Sequence, residues 1–186
     1  MHKRFLLFFN LLVLTFNFGC QPAPVQAPAP PSLEATEVLA PRAATTELVD
    51  VPVYFFDENR FTSGAQPFET AVIRQVEVYS PTGGDLPGKV LEELFRGPTP
   101  EEQQTGLRLV DSGFNGFSQL RIEGGVAHVY LTGTCQSGGS TYTIAQLLLK
   151  NLLQFPEIQS VKIYDASGTT EEPEGATNSI PFCLEP

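Results

Sequence analysis

The chain has 186 residues, and 21 acidic against 11 basic side chains give it a formal net charge of −10. With no cluster of Lys and Arg anywhere along it, this balance argues against nucleic acid as a partner. It also argues against an electrostatic grip on anionic lipid, because both need grouped basic side chains.

The first twenty residues, MHKRFLLFFNLLVLTFNFGC, read as a leader and not as fold. Lys3 and Arg4 make a basic start, and the 14 residues from Phe5 to Phe18 form an apolar run of signal-peptide length. A helix of that length is too short to span a bilayer comfortably. The run stops at Gly19-Cys20, which resembles the cleavage box of bacterial lipoproteins, although Asn17 stands where that box usually has leucine. In that class Cys20 carries the lipid and becomes the new N-terminus; ordinary secretion with cleavage nearby is the alternative. Loss of Lys3 and Arg4 leaves nine basic residues against 21 acidic, a net charge of about −12. Residues 21–49, rich in proline, alanine and small polar side chains, lack the periodicity to bury a core and read as a semi-rigid tether. Residues 50–186 then make one domain of ordinary size. The expected location is extracytoplasmic, with the membrane reached through the lipid anchor only, or secreted if no lipid is added.

In the domain, VDVPVYFFD predicts a strand with Val51, Val53 and Phe55 on one face, and Pro52 marks its start or an exposed edge. TAVIRQVEVYS alternates Val72, Arg74, Val76 and Val78 against Ile73, Gln75, Glu77 and Tyr79, which predicts a second strand. In LPGKVLEELFRGP the period changes: Leu91, Leu94 and Phe95 make a helical stripe that Gly97-Pro98 ends. TPEEQQTG carries a capping-box pattern, with Thr99 as cap, Pro100 at the first position and Glu102 three residues on. Gly124-Gly125 lies between two alternating runs, as a primed two-residue hairpin turn requires. Pairing Glu123 with Val126 then sets Ile122 opposite Ala127, Arg121 opposite His128 and Leu120 opposite Val129. Ile144, Leu147, Leu148, Leu152 and Phe155 form one face of a second helix, for which Ser140 or Thr141 is the expected N-cap. IQSVKIYDA predicts a last strand with Val161 and Ile163 on one side. The order β-β-α-β-β-α-β implies an α+β fold, a mixed or antiparallel sheet with two main helices on one face.

Three places carry candidate chemistry. Cys135 and Cys183 are the cysteines left once Cys20 is lipidated. In an oxidising compartment they make a natural disulfide, worth about 4 kcal/mol for a loop of about 49 residues in the chain-entropy model; two separate buried thiols are the alternative. Gly138, Gly139, Ser140 and Thr141 precede a helix and could hold an anion, although the net charge and the lack of a nearby cation favour a plain helix start. No GxxxxGK[ST] or GxSxG pattern is present, and His128, alone in the mature chain, lies mid-strand, so no catalytic residue is assigned. One histidine and two distant cysteines make no metal set, no cofactor is expected, and EEPE (Glu171–Glu174) reads as a solvated loop.

Four runs in order, LEELFRGPTPEEQQTGL, GGVAHVYL, GGSTYTIAQL and FPEIQSVKIYD, resemble the GerMN domain of sporulation and germination proteins. The tail SIPFCLEP is similar to the ending of single-domain lipoprotein members, so the resemblance runs from about Val51 to Pro186. It implies a compact α+β unit akin to the ring-building motifs of secretion systems, and a role in binding or assembly, with an envelope protein or a second copy as partner. No catalytic residues come with it. The other reading is a solute- or glycan-binding lipoprotein with a cleft beside the Gly138 loop.

Overall fold

In the computed structural model, residues 45–80 and 85–186 are described; the leader, Cys20 and most of the tether lie outside them. The elements are β1 (Thr45–Asp57), α1 (Glu58–Ser63), β2 (Glu69–Ser80), α2 (Leu86–Arg96), α3 (Pro100–Gln104), β3 (Leu107–Arg108), β4 (Phe114–Glu123), β5 (Val126–Gly133), α4 (Ile144–Leu152), β6 (Ser160–Tyr164) and a 3₁₀ turn (Phe182–Leu184). The expected α+β class and order of main elements are present. Residues 45–49, which the sequence reading places in the tether, belong to β1.

The strands form two three-stranded sheets where one was expected, ordered β2-β1-β3 and β4-β5-β6. The physical reason lies on the far side of β1. There β3 pairs only with Phe56 and Asp57, and α4 takes the place of a strand beyond them. The Asn151 amide oxygen accepts from the Tyr54 N–H at 2.9 Å, and its amide nitrogen donates to the Tyr54 carbonyl at 2.9 Å. Gln154 donates to the Pro52 carbonyl at 3.1 Å. Pro52 lacks an N–H on this strandless side, so no ladder bond is lost. Val51–Phe55 is therefore not an open edge.

Both sheets and both main helices close on one core. Val51, Val53 and Phe55 of β1 face it, as their alternation predicts, with Val76 and Val78 of β2. α2 starts at Asp85, whose side chain accepts from the Gly88 N–H, and ends at Gly97. It packs on β1, β2, β4 and α4. α3 has the predicted capping box, Thr99 with Glu102. The hairpin has the predicted register, and Gly124 and Gly125 both take positive φ, which its turn requires. α1, capped by Asp57, is a helix that the sequence reading did not contain.

Arg74 extends from the core-facing side of β2 and joins three elements. Its guanidinium lies 5.6 Å from the centre of the Phe55 ring, forms a fork with Glu102 at 2.7 and 2.6 Å, and stands 3.9 Å from Glu93. Hydrogen bonding from Arg74, ahead of the opposing effect of burial, holds the Glu102 carboxyl below its usual range.

Two predictions follow from these polar clamps. Asn151→Ala leaves a buried strand N–H and C=O without partners and should lower unfolding free energy by about 3 kcal/mol, against about 1 kcal/mol for Gln154→Ala. Urea unfolding of the two variants checks this, and equal effects would refute it. Because the Glu102 carboxyl titrates lower in the folded than in the unfolded chain, its pairing with Arg74 stabilises fully above the ordinary value of 4.5. That contribution disappears as the pH falls through the folded value. Melting temperature should thus fall below about pH 4.5, and Glu102→Gln should flatten that acid limb.

Candidate functional site

The loop that leads into α4 is built from the end of β5 and tied to the tail. Gly113 and Gly133 bring the start of β4 and the end of β5 into backbone contact, and a Cβ on Gly113 would meet the Thr134 carbonyl oxygen at 2.0 Å. Cys135 follows at once and is bonded to Cys183, with their Cα atoms 6.4 Å apart. The Ser137 hydroxyl donates to the Cys183 carbonyl. Ser112, at φ 51°, receives the Gln136 N–H on its carbonyl and the Ile144 N–H on its hydroxyl. One residue thereby holds the cysteine loop and the start of α4 together.

The N-cap of α4 is Thr143, not Ser140 or Thr141. Its hydroxyl accepts from the Ala145 N–H, and Gln146 reaches back to the Thr143 N–H. The donors at this helix start are therefore used by Thr143 and Ser112. Gly138, Gly139, Ser140 and Thr141 are exposed in the preceding turn, where the Ser140 hydroxyl donates to the Tyr142 carbonyl. Beside this turn lies an open cleft of about 430 Å³, whose lining includes Arg108, Asp111, Ser112, Gln136, Ser137 and Ser140. Arg108 is paired with Glu58 at 3.0 Å.

His128 stands opposite Arg121 in register, but its side chain turns to β6. Its Nδ1 shares a hydrogen bond of 3.0 Å with the Tyr164 hydroxyl. Tyr164 stacks on Tyr130 with ring centres 4.5 Å apart, and Arg121 lies over the far face of this pair. The ring faces are occupied by one another, so this row does not offer a flat aromatic platform. Among the described residues no group of three or more His, Cys, Asp or Glu could hold a metal ion.

The tail covers the free side of β6. The Ser179 carbonyl accepts from the Ile163 N–H and the Ser179 N–H donates to the Val161 carbonyl, and the fully buried Lys162 donates to the carbonyls of Glu172 and Glu174 at 2.6 and 3.0 Å. The side chains of Glu171–Glu174 are exposed, as expected, while two backbone carbonyls of this run accept hydrogen bonds from the buried Lys162 side chain.

A second open groove, of about 530 Å³, runs along the flank of α4 beside β1. Tyr54, Leu149 and Leu153 give it apolar walls, and Leu153 is 40% exposed. The Lys150 ammonium lies 4.9 Å from the centre of the Tyr54 ring. The carboxylate of Glu69 accepts from the Tyr142 hydroxyl at 2.6 Å. These residues were not among the sequence candidates. The available signal was the i, i+4 pair Leu149 and Leu153, which falls off the main stripe of the helix.

Architecture and site together define a disulfide-pinned α+β domain whose surface carries an open cleft beside the cysteine loop and an open groove beside α4. The chain belongs to the family described as Germane, sporulation and spore germination, which it matches over residues 52–172. No curated protein matches it. Among solved structures it is similar to the tandem GerMN domains of the sporulation protein GerM from Bacillus subtilis, at 17% identity and a TM-score of 0.42. That likeness covers 70% of this chain and 42% of the other, so this chain spans less than half of that structure's length.

Reduction of Cys135–Cys183 should cost about 2–4 kcal/mol of stability and speed amide exchange at Ile163 and Ser179, whose N–H groups bond between β6 and the tail. Unchanged exchange at these two amides on reduction would show that the tail holds without the bridge.

Proposed function

We propose that this member of the sporulation and spore germination family is exported, anchored through a lipid on Cys20, and acts in the cell envelope by protein contact and not by turnover. The observation that carries the reading is the groove beside α4, where half-buried Tyr54 of β1 and Leu149 line an open depression with exposed Leu153 at the end of a braced helix. Exposed apolar walls with a charged residue among them suit the anchor side chains of a partner. The Cys135–Cys183 bridge supports an oxidising compartment, and the proline-rich residues 21–44 suit a spacer between membrane and domain.

The cleft beside the Gly138 turn supports a second reading, a solute- or glycan-binding lipoprotein, because hydroxyl and amide side chains converge there. A melting shift of the full chain with one class of solute, lost in Gln136→Ala, would favour it.

Two measurements test the main reading. Cys20→Ser should move the protein from the membrane fraction to the soluble fraction, and a variant that stays in the membrane overturns the lipid anchor. A photo-crosslinking residue in place of Tyr54 in the full chain should capture a defined envelope protein or a second copy. The phenotype should survive His128→Ala. If nothing is captured and His128→Ala abolishes the phenotype in a folded protein, the contact reading fails.

A further inference from the structure

Two surfaces of the domain are complementary to each other and lie at different places along α4. The first is the groove on its flank. Among the described residues, every lysine and arginine other than Lys150 has a carboxylate or a carbonyl partner. Lys150 has only the Tyr54 ring beneath it, with Leu149 and Leu153 beside it in the groove. The groove is thus apolar with one cation that has no anionic partner, since Glu69 is engaged by Tyr142.

The second surface is the 3₁₀ turn of the tail. Phe182 is 80% exposed, more than any other large apolar side chain among the described residues. It is held out rigidly: Cys183 is bonded to Cys135, Leu184 is fully buried, and the Leu184 carbonyl receives the Thr143 hydroxyl at the start of α4. Next to it stand Glu171, whose N–H donates to the Ile180 carbonyl, and Glu185, whose N–H donates to the Phe182 carbonyl; neither carboxylate has a cation within salt-bridge distance among the described residues. The knob is therefore apolar with an anionic pair that has no cationic partner.

We propose that the groove on α4 receives the Phe182 knob of a second copy of this chain, with Lys150 meeting Glu171 and Glu185. This rests on the contact reading above and names the partner for it. A disulfide-held aromatic side chain loses little freedom on docking, and a cation meeting two carboxylates gives the contact its direction. Knob and groove are different surfaces, so each docking leaves one of each unused. The contact is head-to-tail, and it builds a ring or a row and not a closed twofold dimer.

The test uses the full chain in cells that express two differently tagged copies, with a photo-crosslinking residue in place of Leu153. The expected product is a crosslink between the two copies that maps to residues 179–186 of the second one. Lys150→Glu and Phe182→Ala should each reduce it by at least about tenfold, the loss of one hot-spot contact. Combining Lys150→Glu with Glu171→Lys and Glu185→Lys in one chain should restore it. Each variant is checked by its melting temperature and by the intact-mass signature of the Cys135–Cys183 bridge. A Leu153 crosslink to a different protein alone sinks the self-contact while the contact reading survives, and no crosslink to any protein sinks both at this groove. A crosslink that persists in folded Lys150→Glu or Phe182→Ala, or that the charge exchange does not restore, also overturns the proposal.

Discussion

The amide of Asn151 decides how this domain closes. A strand side left open beside a helix presents N–H and C=O groups that must find partners once water is excluded. Asn151 is fully buried, meets both groups of Tyr54 and bonds back to the Leu147 carbonyl of its own helix. One side chain therefore substitutes for a neighbouring strand and fixes the rotation of α4 against β1. The α4 stripe of Ile144, Leu147, Leu148 and Leu152 is turned into the core, and Leu149, Lys150 and Leu153 are left outside to form the groove.

The other polar clamps work in the same manner, each joining elements that apolar packing alone would leave free to slide. Arg74 spans β2, α2 and α3 while its stem lies near Phe55. Ser112 joins the cysteine loop to the helix start. Lys162 draws the acidic turn over the outer face of β6, so a strand that would otherwise present an edge is covered by the tail. Buried polar groups of this type cost stability unless every bond is made, so they specify one arrangement more than they strengthen it. The α4 flank and the Phe182 turn, both exposed on this framework, are held in fixed geometry.

Much of the chain was legible residue by residue. Alternation placed Val51, Val53 and Phe55 on one face; Gly124-Gly125 set the hairpin register through their positive φ; Thr99 and Glu102 announced a capped turn; and cysteine number, with the expectation of export, pointed to the bridge. Each of these signals acts over a few residues, or in the bridge through a constraint on composition. The N-cap of α4 was misplaced because the turn residues Ser140 and Thr141 look like caps, while the capping-box spacing of Thr143 and Gln146, which marks the true start, was passed over.

By itself, then, the sequence determined the class of fold, the order of its main elements, the pairing of the β4–β5 hairpin and the family. These rest on local periodicity, turn chemistry and motifs, which a linear string contains. The tertiary structure alone decided that the strands divide into two sheets, that the Val51–Phe55 edge is filled by amide side chains, and that Lys150 and the Phe182 turn carry unmatched charges and apolar surface. Those outcomes depend on contacts across 97 residues between Tyr54 and Asn151 and 48 between the cysteines. Only folding brings such pairs together, and no local pattern encodes which polar groups will be left without a partner when it does.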